Sequence, residues 1–489
     1  MNYITKINYS LFSNGTTGQT IAKNITWQVV GTLANKLFSL FLIIFAARIL
    51  GVEGYGQFTF ALAFVSLFTV LSHLGLPNII TREFAREENK NDFYAIASLQ
   101  IVLVSLTFLL IAAASFLTIS SLEVRLLILV LGVFLLMNSL IGTAYSYFHS
   151  QQKMEYEAWL EVIQMGLLIS FGLFVLFQFP SPLNLSYAYA ISATIAFLIA
   201  IVFFQAKMFR LRLRWNVAIW KKYLRMSWPL ALSALFAVLY SYVDSIMLGY
   251  WNLFVETGWY NAAQRVMLAS LLPMGFVGAS FLPALSKLSR ESKDRFQSAW
   301  NQEIEIMITL ALPLAVGGIV LASGIVSFLY STEFAPAVLV LQILLVTAAV
   351  NFLFRPFYDA MIVFNQERKI FWITMAGAVL NIVLNLILIP KYSLYGAAAA
   401  TLGTYSVLLL IAMIFVKKFT LAKFSLIRII LTTAMSVLSV YAMYVALRYL
   451  LLSHVHVALL VFIGAVVYGV VFFGLRKFVI GTYFKRLYV

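Results

Sequence analysis

The sequence predicts an all-α integral membrane protein with about fourteen transmembrane helices, and three observations lead to this fold class. Of the 489 residues, 63% are hydrophobic and only 11% are charged, whereas soluble domains carry about 25% charged residues. The hydrophobic residues form runs long enough to cross a bilayer core, which requires about 20 apolar residues per helix. Lysine and arginine are concentrated in alternate connections between these runs, which is the pattern of membrane topology.

Fourteen apolar segments are predicted to span the membrane as helices, because only helices and closed barrels satisfy their own backbone hydrogen bonds in lipid. The eighth segment contains Pro273 and Pro283, which predict a kink or an early end. The predicted spans are residues 24–48, 54–77, 94–118, 123–147, 158–179, 184–206, 227–250, 257–285, 301–323, 335–358, 370–390, 394–416, 429–450 and 455–475.

The distribution of lysine and arginine predicts that both termini are cytoplasmic. With this orientation, 27 of the 34 basic residues lie in cytoplasmic segments and four in the outer connections. The remaining three, Lys36, Arg265 and Arg355, lie inside predicted spans. Because topology accounts for most of the positive charge, the net charge of +16 does not predict a nucleic-acid partner.

Several classes of chemistry are disfavoured by what the sequence lacks. The chain has no cysteine and only four scattered histidines, so we expect no disulfide, no metal centre and no cofactor. An enzyme would need a carboxylate cluster or a catalytic base in a sizeable loop. The largest acidic cytoplasmic loop, residues 82–92, interleaves its acids with basic residues, which is typical of a solvated face. We therefore predict that the protein is not an enzyme.

A basic connection divides the sequence into two similar halves. The first corner of the second half, "VETGWYNAAQR" at 255–265, resembles "VEGYGQFTFAL" at 52–62 in the first. Repeated halves are common in secondary transporters. The predicted organisation is a six-helix lobe at 1–206, an amphipathic cytoplasmic linker at 207–226, a second six-helix lobe at 227–416, and a C-terminal helix pair with a cytoplasmic tail at 417–489.

The glycine-rich stretch "ILGVEGYGQF" at 49–58 is predicted to be a corner between the first two spans. A phosphate-binding glycine loop would follow a strand and open a helix, and no strand is predicted here. Gly51, Gly54 and Gly56 instead permit a tight reversal of the chain.

Four stretches of the sequence together resemble a known transporter family. They are "AARILGVEGYGQFTFALAF" after the first span, "GLPNIITREFAR" after the second, "YVDSIMLGYW" with "VETGWYNAAQRV" in the second half, and "LNIVLNLILIPKYSLYGAAAATL" across the eleventh and twelfth spans. In order and spacing they resemble the polysaccharide-transporter (Wzx-type flippase) branch of the multidrug/oligosaccharidyl-lipid/polysaccharide (MOP) exporter superfamily.

This resemblance implies a V-shaped pair of lobes around a central cavity. It also implies that the protein moves a polyprenyl-diphosphate-linked oligosaccharide, such as an O-antigen or exopolysaccharide repeat unit, from the inner to the outer leaflet. Membrane lipids, a polysaccharide polymerase and a chain-length regulator are the partners that it implies.

Lys36 is the clearest ionisable residue inside a predicted span, where charge is costly and predicts function. Gln28 and Asn35 lie on the same side of the first span, with Lys36 one step around the helix. We interpret Lys36 as a cavity cation that attracts the diphosphate, with a structural salt bridge and a misplaced span as alternatives.

Further charged residues in or near the spans are weighed as ligands or as ion pairs. Asp244 and Arg265 lie in the outer parts of neighbouring spans, so an ion pair and a ligand site are both open. Arg355 and Asp359 are four residues apart and share a helix face, which favours a local pair. Arg48 ends the first span and could snorkel, whereas the resemblance favours a role in diphosphate binding.

A group of polar and aromatic residues is predicted to contact sugars, with ordinary interfacial anchoring as the alternative. The group consists of Gln28, Asn35, Tyr242, Trp259, Tyr260, Asn261 and Gln264. Glu303 and Glu305 are predicted to open the ninth span, where the helix dipole stabilises carboxylates, and no transport role is assigned to them.

A drug antiporter of the same superfamily is the rival function. Such antiporters move cations and use carboxylates inside the membrane for ion exchange. The first span offers Lys36 and no acid, which favours an anionic cargo.

Overall fold

The structure, a computed structural model, describes residues 17–419, 425–451 and 455–483, and these form α-helices joined by short connections. One 3-10 turn, Thr332–Phe334, precedes α12. The helices are α1 Thr17–Leu67, α2 Thr69–His73, α3 Leu76–Arg86, α4 Lys90–Thr118, α5 Leu122–Ser150, α6 Met154–Gln178, α7 Pro182–Lys207, α8 Val217–Tyr250, α9 Phe254–Ser270, α10 Leu272–Glu291, α11 Lys293–Leu329, α12 Ala337–Val363, α13 Glu367–Phe419, α14 Leu426–Leu451 and α15 Val457–Tyr483.

The number of predicted spans agrees with the structure. Twelve segments of the described chain are long and apolar enough to cross a membrane. Two of them are interrupted by a residue with non-helical dihedral angles, Gly51 in α1 (φ 70°, ψ 178°) and Ser393 in α13 (φ 50°, ψ −132°). These breaks fall between the first and second and between the eleventh and twelfth predicted spans. When the parts are counted separately, the fourteen-helix fold class is confirmed.

The second predicted span, 54–77, is wrong in detail. Helix α1 ends at Leu67, and a short α2 follows before the chain turns through Leu74 (φ 43°) and Gly75 (φ 74°). The cytoplasmic loop predicted after this span instead forms α3, an amphipathic helix whose apolar face is buried. Its hydrophobic residues at positions 76, 79, 80 and 84 follow the helical period, although charged residues separate them.

The predicted interruption of the eighth span is present. Helix α9 ends at Ser270 and α10 begins at Leu272, with Pro273 in its first turn. Proline is tolerated there because the first helical N–H groups have no partner in the helix. Pro283 lies inside α10, which continues past it.

The glycine corner has a different construction from the predicted one. Only Gly51 has a positive φ, so one residue breaks the helix. Gly54 and Gly56 are helical and serve close packing. A Cβ on Gly56 would overlap the backbone carbonyl of Phe254, at the beginning of α9. Glycine is therefore required at position 56 by contact, not by backbone conformation.

The chain divides into two compact units, the first ending at Gly258 and the second beginning at Trp259. Unit 1 contains two large apolar clusters, one around Phe58 and Leu131 and one around Phe93 and Phe204. Unit 2 has its main cluster around Trp300, with smaller ones nearby. The lobe boundaries expected from the sequence stay a prediction, and the tail beyond residue 483 lies outside the described residues.

The basic connection at 207–226 is anchored to the beginning of α4. Trp220 Nε1 donates a hydrogen bond to the carbonyl oxygen of Ala95 at 2.8 Å. Tyr223 and Lys222 both donate to Asp92 Oδ2, at 2.9 and 3.2 Å. These bonds involve the first turns of α8, which begins ten residues before the predicted seventh span. The second part of the connection is therefore a packed helix.

Candidate functional site

Unit 1 contains a partly open cavity of about 410 Å³ whose lining combines hydrogen-bonding side chains with apolar surface. It is formed by the break between α2 and α3 together with α5 and the first turn of α6. The lining residues are Thr69, His73, Pro77, Asn78, Thr81, Phe134, Leu135, Asn138, Ser139, Gly142, Tyr145, Ser146, His149 and Glu157. Most of these side chains carry hydrogen-bonding groups.

A buried hydrogen-bond network fixes one wall of the cavity. The hydroxyls of Ser72 and Ser139 lie 2.6 Å apart. Gln100 Nε2 donates to the carbonyl oxygen of Ser72 at 2.8 Å and to that of Ser139 at 3.4 Å. All three side chains are buried, so the network joins α2, α4 and α5 rigidly behind the cavity surface.

Asn138, an amide of the cavity lining, is held in place by two hydrogen bonds. Gln164 Nε2 donates to Asn138 Oδ1 at 2.8 Å, and Asn138 Nδ2 donates to the carbonyl oxygen of Phe134 at 2.8 Å. These bonds orient both amides and leave further donor and acceptor capacity on them. Asn78, on α3, is an exposed amide on another side of the same cavity.

Charged groups gather at one end of the cavity. His149 Nε2 is in ion-pair contact with Glu157 Oε2. Glu161 lies one helical turn further along α6, and its Oε2 is 3.1 Å from the position that a Cβ on Gly31 would occupy. Tyr145 lies one turn before His149 on α5 and also lines the cavity. This end of the cavity therefore combines a carboxylate, an imidazole and a phenol.

A buried ion pair joins α1 to α6 close to this charged end. Lys23 Nζ lies 3.0 Å from Glu155 Oε2, and the side chains are 0% and 11% exposed. The same ammonium reaches the carbonyl oxygen of Gln152 at 3.4 Å, and Asn24 Nδ2 donates to Gln152 Oε1 at 2.7 Å. These contacts fix the position of α1 against α6.

The sequence contains a signal for this cavity that the prediction did not use. On α5, polar or small residues recur at 138, 142, 145, 146 and 149, which is the spacing of one helix face. On α6, Glu157, Glu161 and Gln164 have the same periodicity. Two polar stripes on consecutive apolar spans predict a shared polar interior, which single residues do not reveal.

The predicted residues of the first span lie outside this cavity. Lys36 is exposed, and within the described residues no carboxylate lies within 4.0 Å of its ammonium. Gln28 and Arg48 are exposed and Asn35 is half-buried. Exposed apolar side chains, Leu37 among them, adjoin Lys36. Their roles toward a diphosphate or a sugar stay predictions.

The remaining predicted residues of unit 1 lie on α8. Asp244 is buried, at 2% exposure, and Tyr242 is half-buried. Asp244 belongs to unit 1 and Arg265 to unit 2.

In unit 2, the predicted sugar contacts lie at the beginning of that unit with different exposures. Trp259 is half-buried and its Nε1 donates to the carbonyl oxygen of Glu333 at 2.8 Å. Tyr260 is fully buried and Asn261 is 5% exposed. Gln264 and Arg265 are half-buried.

Arg355 and Asp359 form an ion pair on α12. Arg355 Nε donates to Asp359 Oδ2 at 2.8 Å, and the side chains are 25% and 0% exposed. The guanidinium packs over Gly278 of α10, where a Cβ would come within 2.5 Å of Arg355 Nη2. Much of the positive charge of Arg355 is thus compensated within unit 2.

The unit 1 cavity is chemically suited to a polyhydroxylated ligand. Amides, hydroxyls and carboxylates offer donors and acceptors in several directions, and Tyr145 and Phe134 offer aromatic surface. Within residues 17–419, 425–451 and 455–483, no three His, Asp or Glu side chains converge as metal ligands would.

The sequence is similar to a protein family and to two proteins of polysaccharide and glycan biosynthesis. A family model described as "Polysaccharide biosynthesis protein" matches residues 21–289. The chain is 27% identical over 172 residues to a probable low-salt glycan biosynthesis flippase, Agl15, of Haloferax volcanii, which covers 34% of this chain and 36% of that protein. It is 22% identical over 388 residues to the capsular polysaccharide biosynthesis protein CapF of Staphylococcus aureus, covering 77% and 94%.

Solved structures show the same fold at low sequence identity. The lipid II flippase MurJ in an inward closed conformation superposes with a TM-score of 0.75 at 16% identity, covering 93% of this chain and 99% of that one. A multidrug resistance MATE family transporter of the MOP superfamily, in an inward-facing conformation, superposes with a TM-score of 0.66 at 16% identity, covering 82% and 98%.

Proposed function

Because the chain belongs to the polysaccharide biosynthesis protein family and has the MOP-type transporter fold, we propose that it is a lipid-linked oligosaccharide flippase. Its cargo in this proposal is a polyprenyl-diphosphate-linked oligosaccharide, moved from the cytoplasmic to the outer leaflet of the cell membrane. Alternating access, as in other secondary transporters, carries the cargo across.

The cavity of unit 1, in which hydrogen-bonding side chains alternate with apolar surface, is the observation that supports a glycan cargo. Its volume of about 410 Å³ lies within the range of about 300–1,000 Å³ that is usual for small-molecule sites. A sugar presents hydroxyls that both donate and accept, and the amide of Asn138, which Gln164 holds in place, matches this demand.

Lys36 is our candidate for the diphosphate. Its ammonium is exposed and has no carboxylate within 4.0 Å among the described residues, so its charge is available to an anion. Arg355 is a weaker candidate because Asp359 already binds its guanidinium. In this proposal Arg48 and Arg265 assist Lys36 at other points of the crossing, and the prenyl tail stays in lipid.

Glycan export in a strain that lacks its own flippase tests the cargo. We expect Asn138→Leu to reduce export severalfold at unchanged membrane abundance, because it removes the amide that orients Gln164. Asn91→Leu is the matched control, since Asn91 is exposed on α4 and lies outside the cavity. Equal export by both variants would contradict the assignment of the cavity.

The diphosphate assignment is tested at Lys36. A hydrogen bond to a charged group contributes about 1.5–3 kcal/mol, and 1.4 kcal/mol corresponds to tenfold in binding. We expect Lys36→Ala to weaken binding of polyprenyl diphosphate to the purified protein about tenfold or more, whereas Lys36→Arg retains most of it. Full glycan export by both Lys36→Ala and Lys36→Glu would refute the role of Lys36.

A cation-coupled drug antiporter is the second candidate, because the carboxylate of Glu157 lines the unit 1 cavity and that of Glu161 lies one helical turn further along α6. Expression in a drug-sensitive host distinguishes the two functions. The glycan proposal predicts no increase in resistance to cationic dyes.

The polymerase and the chain-length regulator stay predicted partners. The cytoplasmic position of both termini also stays a prediction.

A further inference from the structure

Unit 2 contains a cluster of three charged residues, two of which are fully buried carboxyl groups that have no part in the proposed glycan transport. Glu303 on α11 and Asp359 on α12 are both 0% exposed. Arg355 donates from Nε to Asp359 Oδ2 at 2.8 Å, and its side chain is 25% exposed. Glu303 is not at a helix start, as the sequence suggested, because α11 begins at Lys293. It lies about three turns inside the helix, beyond the reach of the helix dipole.

Within the part of the chain that the structure describes, three of the four oxygens of the two carboxyl groups accept no hydrogen bond from a donor. Among the described residues, no donor reaches either oxygen of Glu303 or Oδ1 of Asp359. The helix turns that carry the two carboxyls are in contact, because Trp300 Nε1, one turn before Glu303, donates to the carbonyl oxygen of Pro356, one turn before Asp359, at 2.9 Å. Ionised carboxylates only accept hydrogen bonds, so the pair is linked only when one of them carries a proton.

The charge balance of the cluster also requires that one of the two carboxyl groups carries a proton. The charged groups that act on Glu303 are Asp359 and Arg355, both from α12. Basic side chains of α14 and α15, Arg428 and Arg476, act on Glu305 instead. Two ionised carboxylates and one guanidinium would leave an uncompensated negative charge in the interior, which is strongly unfavourable. One bound proton makes the cluster neutral.

We propose that Glu303 and Asp359 form a proton-binding site whose occupancy controls the conformation of unit 2. The proton sits between the two carboxyls and exchanges with water along the partly exposed Arg355 side chain. When it leaves, the cluster gains a negative charge, and the guanidinium must then serve two carboxylates. Arg355 packs directly on Gly278, so its movement repositions α10 together with α11 and α12.

Proton exchange at this site would give transport an energy source that is independent of the chemical nature of the cargo. The inference therefore does not rest on the glycan proposal. Its tests need only the purified full chain in lipid nanodiscs, with no substrate, so that failure of either proposal is recognised separately.

Infrared difference spectroscopy across a pH change tests the shared proton. We expect a protonated-carboxyl C=O band that is absent in Glu303→Gln. The amide of this variant donates to Asp359 as the protonated acid does, so the fold is preserved. Glu305→Gln is the matched control on the same helix and keeps the band. A band that persists unchanged in Glu303→Gln would overturn the shared proton.

Spin-label distances test the conformational role. The chain has no cysteine, so Phe276→Cys on α10 and Tyr392→Cys on α13, both in unit 2 and 48% and 60% exposed, accept labels without other changes. We expect the distance distribution to shift with pH in the parent and in Glu305→Gln, and to be independent of pH in Glu303→Gln. If Glu303→Gln loses the carboxyl band but its distances still shift like the parent's, the proton is structural and the coupling is refuted.

Discussion

The buried ion pair between Lys23 and Glu155 gives the most quantitative prediction. Lys23→Met keeps the length of the side chain but removes the ammonium that lies 3.0 Å from Glu155 Oε2. Removing one partner of a buried ion pair costs about 3–5 kcal/mol, because the other charge is left uncompensated. Glu155 is 11% exposed and regains some hydration, so we expect a loss of about 3 kcal/mol in the free energy of unfolding.

A double substitution separates the loss of the pair from the loss of packing. In Lys23→Met/Glu155→Met neither charge is buried, and replacement of a buried pair by apolar residues is often neutral. We therefore expect the double variant to be more stable than Lys23→Met alone. The coupling between the two positions should lie in the range of about 0.5–3 kcal/mol that is found for contacting residues.

Unfolding by SDS in mixed micelles is a suitable assay. Trp27 on α1 and Trp159 on α6 have ring centroids 5.9 Å apart, so tryptophan fluorescence reports the contact between these helices. Lys207→Met, at an exposed position, is the control for loss of a surface charge. The reasoning would be refuted if Lys23→Met unfolded like the parent, or if the double variant lost the sum of the two single effects.

Two further predictions concern the close packing at Gly56 and the anchoring of the basic connection at 207–226. Gly56→Ala places a methyl group against the carbonyl oxygen of Phe254, and we expect a loss of about 1–3 kcal/mol from overpacking, measured by the same unfolding assay. Gly166→Ala, with nothing within 4 Å of the new Cβ, should be neutral or slightly stabilising, and equal losses would contradict the contact. Asp92→Ala removes the acceptor of Tyr223, so limited proteolysis in the 207–216 connection should become faster, and an unchanged cleavage rate would contradict its anchoring role.

The span pattern could be predicted from the sequence because lipid imposes it locally. Each apolar run must close its own hydrogen bonds, so even the break at Ser393 falls between the predicted spans ending at 390 and beginning at 394. The amphipathic α3 was missed because its charged residues dominate a short segment. Its buried face becomes visible only with the 3.6-residue period.

The candidate site was less predictable, for a physical reason. Whether Lys23 or Glu303 is buried depends on which helices pack beside it, and no property of a single span determines that. The sequence alone predicts Lys23 to be one of the cytoplasmic charges and Glu303 to lie at a helix start. The cavity around Asn138 required two polar stripes to be compared between spans. Pairwise comparison of helix faces would have found it.

The ion pair between Lys222 and Asp92 has a consequence for the order of events in biogenesis. The orientation of spans is determined during insertion by lysine and arginine, with little contribution from acids. Asp92 precedes Lys222 by 130 residues, so the pair can close only after the intervening helices have assembled. Lys222 thus contributes its full charge while the translocon orients α8, and the mature surface presents that charge to anionic lipid headgroups only in part.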